Sequence, residues 1–175
     1  MIYAYHLLVG LVLILFQTTL LSIGVPVYLY DLLVPFVVYL GVYRLPKSAV
    51  PVLVIVGLAM DGISGGVFGV HLSVYLWLYV GVRWAIQFLH VGNAILLPLL
   101  VTAGVAFASV VTAFSAVVLA KAAWPVEAVF PVVSAQVLWG LFTGPFLMLL
   151  FIRGQQFVDR FNRPFSLDKS HLRVP

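Results

Sequence analysis

Six runs of apolar residues, separated by short polar or glycine-rich turns, follow one another along almost the whole chain. They extend over residues 3–21, 28–43, 48–63, 67–89, 95–120 and 129–152. A helix crosses the bilayer core, roughly 30 Å thick, with about 20 apolar residues. Lipid offers no hydrogen-bond partner to an open backbone, and the runs lack the alternating polarity of a membrane barrel. The sequence therefore predicts an all-α integral membrane protein with six transmembrane helices.

The composition agrees with this class and excludes several chemistries. Hydrophobic residues make up 64% of the chain and charged residues 8%, whereas about one quarter of an average soluble domain is charged. The sequence contains no cysteine, which excludes disulfides and thiolate metal sites. It also lacks the HExxH, GxSxG and Walker-type phosphate motifs, and its four histidines are scattered. We therefore expect no enzyme, no metal and no cofactor.

The positive charges predict the orientation in the membrane. Arg44 and Lys47 flank the turn between the second and third runs, and five further Lys and Arg residues lie in 153–175. Six crossings place both clusters on one side, which the positive-inside rule makes cytoplasmic. We expect a transmembrane domain over 1–152, a basic cytoplasmic tail over 153–175 and both termini in the cytoplasm. We expect such a tail to lie at the anionic surface of the lipid bilayer rather than to bind nucleic acid.

The turn after the third run contains an unexpected acid. Within GLAMDGISGGVFGVHL (57–72), a helix to about Ile63, a turn over 64–66 and a new helix from Val67 place Asp61 in the last helical turn, near the outer surface. A carboxylate there faces the negative end of the helix dipole. The turn's N–H groups, the Ser64 hydroxyl, His71 or a partner's cation could compensate it.

The glycines of this turn have two interpretations. Gly62 with Gly66, and Gly65 with Gly69, have the small-xxx-small spacing that lets helices approach closely. Either they only allow the third and fourth helices to pack, with Asp61 capping the turn, or the hairpin binds a partner's helix.

A polar stripe runs along the fourth helix. Its members recur at every fourth position, with His90 three residues further on: His71, Tyr75, Tyr79, Arg83 and Gln87. They share one helix face, which must meet the bundle interior, a wet cavity or another protein. Arg83 could also snorkel to headgroups or stack on a tyrosine. Our partner-binding hypothesis takes Asp61, Gly62, Gly65, Gly66, Gly69, Tyr79 and Arg83.

Four polar residues are candidates for structural roles: Gln17, Asp31, His71 and Gln87. Gln17 shares a face of the first helix with His6, and Asp31 stands near the start of the second helix, where the dipole favours an anion. Small residues in the fifth and sixth helices predict close packing.

Three stretches together resemble a known family. PVYLYDLLVPFVVYLG (26–41) and GLAMDGISGGVFGVHLSVYLWLYVGVR (57–83), in a six-helix chain with FQTTLL (16–21) in its first helix, are similar to the bacterial rod shape-determining protein MreD family. The resemblance implies a non-enzymatic inner-membrane scaffold of the cell-wall elongation machinery. The implied partners are MreC and, through it, RodA, its penicillin-binding transpeptidase and the MreB filament.

The resemblance also implies a fold similar to the substrate-binding subunits of energy-coupling-factor transporters, and this supplies an alternative function. Such a subunit binds a vitamin, and its first helix presents an Ala-xxx-Ala pair to the transporter. The segment AYHLLVGLVLILFQ (4–17) has no such pair, which favours the scaffold. A lipid-handling channel or flippase component is a third hypothesis.

Overall fold

The computed structural model describes residues 2–22, 31–88, 96–118 and 126–161, which are helical apart from their turns. The helices are α1 (Ile2–Ser22), α2 (Leu33–Tyr43), α3 (Pro46–Ser64), α4 (Val70–Phe88), α5 (Leu96–Val118) and α6 (Val126–Phe161). No strand occurs within those ranges. The predicted all-α class is confirmed.

Among the described residues, three helices are long and apolar enough to cross a membrane. They are Pro46–Ser64, Leu97–Val118 and Val129–Gln156, and two shorter apolar helices extend over Tyr3–Thr19 and Leu33–Tyr43. The helix with the polar stripe, α4, is in neither group. Length and composition therefore indicate a membrane protein.

Two helices begin later than the sequence predicts. The predicted start of the second helix at 28 lies outside the described residues, but Asp31 and Leu32 are not helical and α2 begins at Leu33. Its 11 residues span about 17 Å at 1.5 Å per residue. The turn after α3 extends to Gly69, whose φ is 93°, so α4 begins at Val70 rather than at 67.

The last helix is longer than predicted. The apolar run ends at Ile152, yet α6 continues to Phe161 through residues of the basic segment. The boundary expected between 152 and 153 is therefore not a break in the backbone. Arg153 consequently occupies a fixed position on a continuous helix.

The short helix α2 lies at the centre of the bundle. Its residues from Leu33 to Gly41 are all buried, and the other five helices all contact it. A helix that is apolar all round is stable in a protein core or in lipid, and the burial of α2 shows that it lies in the core. The described helices therefore form one bundle around α2.

Glycines allow the closest helix crossings. A Cβ built on Gly57 of α3 would lie 2.8 Å from Cα of Leu72 in α4, and one on Gly140 of α6 would lie 2.9 Å from Val105 in α5. Both distances are shorter than real Cβ contacts. The prediction that small residues of the sixth helix allow close packing is confirmed at Gly140, whose neighbour is α5.

Candidate functional site

Asp61, in the last turn of α3, receives hydrogen bonds from the first turn of α4. Its Oδ1 accepts the backbone N–H of His71 at 2.8 Å, and its Oδ2 accepts that of Leu72 at 3.1 Å. Nδ1 of His71 lies 3.0 Å from the same Oδ1. The His71 ring can donate to this oxygen in the tautomer that carries its proton on Nδ1. Asp61 therefore caps α4 from the end of α3.

The positions of the two helix ends explain how the bundle holds this buried acid. The C-terminal end of α3 disfavours a carboxylate, whereas the N-terminal end of α4 attracts one and offers N–H groups that have no partner within the helix. The Asp61 side chain has no exposed area. His71 is the compensating side chain, while the Ser64 hydroxyl donates to the Asp61 backbone oxygen at 3.4 Å. The compensation comes from within this chain.

Asp31, just before α2, joins α2 to α4. Its Oδ1 accepts the Leu33 N–H at 2.9 Å, and its backbone oxygen accepts the Val34 N–H at 3.0 Å. Its Oδ2 accepts a hydrogen bond from the hydroxyl of Tyr75. The predicted helix-start role of Asp31 is confirmed. The tie to Tyr75, across 44 residues of sequence, was not predicted.

Gln17 adds α1 to the same end of the bundle. Its Oε1 accepts the Leu32 N–H at 3.1 Å, so that it satisfies a buried backbone donor at the start of α2. The rings of His71 and Tyr75 lie edge to face with centroids 6.1 Å apart, which makes the polar residues contiguous. We call these five the polar end cluster: Gln17, Asp31, Asp61, His71 and Tyr75.

A small cavity adjoins the polar end cluster. Its volume is about 150 Å³, and its polar lining comes from Asp31 and His71 together with Ser109, Thr112 and Gln136 of α5 and α6. A water molecule takes about 30 Å³ of liquid volume, so the cavity suits a few waters or one small polar group. Within the described ranges, no group of three or more His, Cys, Asp or Glu residues could hold a metal ion.

The side chains that the partner-binding hypothesis groups together do not form one accessible surface in the structure. Asp61 and Tyr79 are both 3% exposed, so neither lies on an accessible surface. The Tyr79 hydroxyl donates to the backbone oxygen of Arg44 at 3.2 Å, at the opposite end of the bundle from Asp61. Arg83 is half-buried and Gln87 is exposed. The stripe therefore faces the interior at Tyr75 and Tyr79 and turns outward at Gln87, while His90 lies outside the described residues.

The glycines of the turn do not pack against α3 or α4. No atom would lie within 4 Å of a Cβ at Gly62, Gly65 or Gly69, and a Cβ at Gly66 would meet only the Ser64 hydroxyl, at 3.8 Å. The interpretation that their spacing brings these two helices together is wrong. Gly65, with φ 65°, and Gly69 instead supply left-handed backbone that other residues rarely adopt.

The sequence reasoning missed one surface on α4. Trp77 and Trp84 are 69% and 64% exposed, and Gly81 between them has open space where a Cβ would be. The signal was present in the sequence, because positions four and three residues apart share one helix face. The polar stripe on another face of α4 is the stronger signal in the sequence.

The chain matches no protein-family model, no curated protein and no solved structure.

Proposed function

We propose that this protein is a six-helix, non-enzymatic scaffold of the bacterial cytoplasmic membrane that binds a transmembrane helix of MreC in the cell-wall elongation machinery. The proposal combines the resemblance to the MreD family with one structural observation. In the proposed arrangement both termini are cytoplasmic, and RodA, its transpeptidase and the MreB filament associate with the protein through MreC.

The observation is that two helical glycines have no packing role inside the bundle. Gly62 of α3 and Gly81 of α4 have open space at the Cβ position. The other glycines within the described helices each have a neighbouring side chain or backbone at that position: Gly10, Gly41, Gly57, Gly104, Gly140, Gly144 and Gly154. A glycine within a helix costs about 0.5–1 kcal/mol relative to alanine. At Gly62 and Gly81, no close contact within this chain offsets that loss of stability.

Glycines on an exposed helix face are typical contact points for another membrane helix. Lipid is as apolar as leucine, so association in the membrane depends on close van der Waals packing at small residues. On α4 the bulky exposed Trp77 and Trp84 flank Gly81, which leaves a notch between two large side chains. On α3 Gly62 lies on the exposed side with Ile55 and Leu58. We call the exposed sides of these two packed helices the hairpin surface.

Asp61 has an indirect role in this proposal. It does not touch the partner, because its carboxylate is enclosed by α4. Its hydrogen bonds to the start of α4 instead fix how α3 and α4 lie against each other. The hairpin surface is therefore presented by a rigid pair of helices, and Asp61 acts as its positioning residue.

The polar cavity is smaller than a typical small-molecule site, so it does not support the vitamin-binding alternative at that end of the bundle. Small-molecule sites usually measure about 300–1,000 Å³, whereas the cavity beside Asp31 and His71 is about 150 Å³. A vitamin would need that end of the bundle to open, which the hydrogen bonds of Asp31 and Asp61 oppose.

Co-purification with MreC tests the proposed contact. We expect Gly62→Leu and Gly81→Leu each to lower MreC recovery by at least about fivefold, since an added side chain holds the partner's backbone away. Ala103→Leu, at an exposed position of α5, is the matched control and should leave recovery unchanged. Unchanged recovery with both glycine variants, at equal expression and melting temperature, would refute the contact.

Depletion in cells tests the wider function. We expect rod-shaped cells to become round when the protein is depleted. Normal rods that acquire a vitamin requirement would instead support the transport alternative.

A further inference from the structure

An apolar groove lies between α1 and α6, away from the hairpin surface. Its volume is about 450 Å³, and Leu8, Val12, Leu13, Leu150 and Phe151 contribute to its lining. Within the described residues the backbones of α1 and α6 do not approach each other closely. Leu8, Val12 and Leu150 are each more than half exposed, so the groove opens sideways, towards the bilayer.

One end of this groove is polar and cationic. Tyr5 of α1 and Arg153 and Gly154 of α6 line it there. A Cβ at Gly154 would lie 2.7 Å from the Tyr5 hydroxyl, so the glycine is what allows this tyrosine to reach α6. Arg153 is exposed, and its backbone lies within α6, which continues beyond it to Phe161.

We propose that this groove binds an anionic phospholipid, with one acyl chain between α1 and α6 and the phosphate group at Arg153. A guanidinium can donate two parallel hydrogen bonds to a phosphate. Tyrosine is enriched at headgroup depth. The same end carries Arg44 and Lys47, and the side of a bacterial membrane that attracts such cations is anionic. The amphipathic shape of the groove thus matches the ligand at both ends.

The dimensions of the groove favour an acyl chain over a protein helix. The lining of α1 extends from Tyr5 to Leu13, which is about 12 Å at 1.5 Å per residue. A helix that crosses the bilayer core is roughly 30 Å long, so most of it would lie beyond the groove. Part of one extended acyl chain, by contrast, fills a groove of this length. This site is independent of the proposed scaffold function, since it shares no residue with the hairpin surface.

Native mass spectrometry of the full chain in nanodiscs tests the headgroup part of the proposal. We expect about one phosphatidylglycerol to remain bound per chain, and phosphatidylcholine to be retained at least about fivefold less. Arg153→Gln should abolish this preference. Lys47→Gln removes one charge from an exposed position at the same end and should leave the preference intact. Equal retention of the two lipids, or loss of the preference with Lys47→Gln as well, would overturn the proposal.

A second pair of variants tests the acyl part. Val12→Trp fills the groove and should lower retention of phosphatidylglycerol at least about fivefold. Val110→Trp on α5 is its matched control, because Val12 and Val110 are 54% and 56% exposed; it should change nothing. If Val12→Trp left lipid retention unchanged while the melting temperature stayed normal, the groove would not be the lipid site. A loss of MreC recovery in place of lipid would assign the groove to a helix and overturn the proposal.

Discussion

The two ends of the bundle are held together by different interactions. At the polar end, Asp31 and Asp61 accept backbone N–H groups at the starts of α2 and α4. At the opposite end, rings pack around Tyr39 in stacked and tilted arrangements, with centroids 5.3–6.5 Å from that of Tyr39. Hydrogen bonds are directional, whereas ring packing accepts a range of geometries. The polar end should therefore tolerate substitution less well.

The largest effect is expected from Asp61→Leu. The substitution leaves the part-buried N–H groups of His71 and Leu72 without their acceptor, and each donor left unpaired away from water costs about 1–3 kcal/mol. We expect the free energy of unfolding in mild detergent to fall by about 3 kcal/mol or more. Ser64→Ala, which removes only the 3.4 Å contact to the Asp61 backbone oxygen, should stay within about 0.5 kcal/mol. Equal effects of the two variants would mean that the carboxylate does not stabilise the hairpin.

The same substitution at two tyrosines of α4 compares the ends directly. Tyr75→Phe removes a hydrogen bond to the carboxylate of Asp31, and Tyr79→Phe removes one to the backbone oxygen of Arg44. Bonds to charged groups contribute about 1.5–3 kcal/mol and neutral ones about 0.5–1.5 kcal/mol. We expect Tyr75→Phe to lower the melting temperature in detergent more than Tyr79→Phe. The reverse order would contradict the assignment of the polar end as the more strongly bonded one.

A moderate effect is expected from Phe151→Leu at the aromatic end. Its ring packs against Phe36 and Tyr39 with centroids 5.6 and 5.7 Å apart, and aromatic pairs contribute about 0.5–1.5 kcal/mol beyond area burial. Leucine keeps much of the apolar volume, so we expect a loss of about 1 kcal/mol in the free energy of unfolding. Hydrogen exchange should rise at the adjoining turns of α2 and α6 and stay unchanged at the α3–α4 turn. A loss that matched that of Asp61→Leu would remove the distinction between the ends.

Sequence reasoning succeeded where the interacting residues are near one another in the chain. The all-α class, a turn that begins near Ser64, the helix-start role of Asp31 and the inclusion of His71 among the groups that could compensate Asp61 all depend on neighbours within about a dozen positions. Helix periodicity and the dipole rules operate over that distance. Apolar runs alone, however, did not locate the end of α6, because its continuation past Ile152 is amphipathic.

Sequence reasoning failed where the fold brings distant segments of the chain together. Neither the hydrogen bond from Tyr75 to Asp31 nor that from Leu32 to Gln17 has a local signal, since α1, α2 and α4 must first pack. Glycine spacing identifies candidate contact faces but not which neighbour they meet. Gly57, outside the spacing pairs considered, makes the close contact with α4, and Gly62 does not.

The smallest effect on stability is expected from Gly62→Ala. This variant tests whether the polar end of the bundle needs a glycine at this position. Gly62 precedes the turn within α3, and a Cβ there meets no atom within 4 Å. The substitution should therefore stabilise the isolated protein by about 0.5–1 kcal/mol, the helix-propensity difference between the residues. Ala59→Gly, one turn earlier on α3, is the reverse control and should destabilise by a similar amount. A loss of stability with Gly62→Ala would show that the last turn of α3 needs the bare backbone within this chain. Gly62 would then have a role within this chain and would no longer be evidence that a partner's helix binds the hairpin surface.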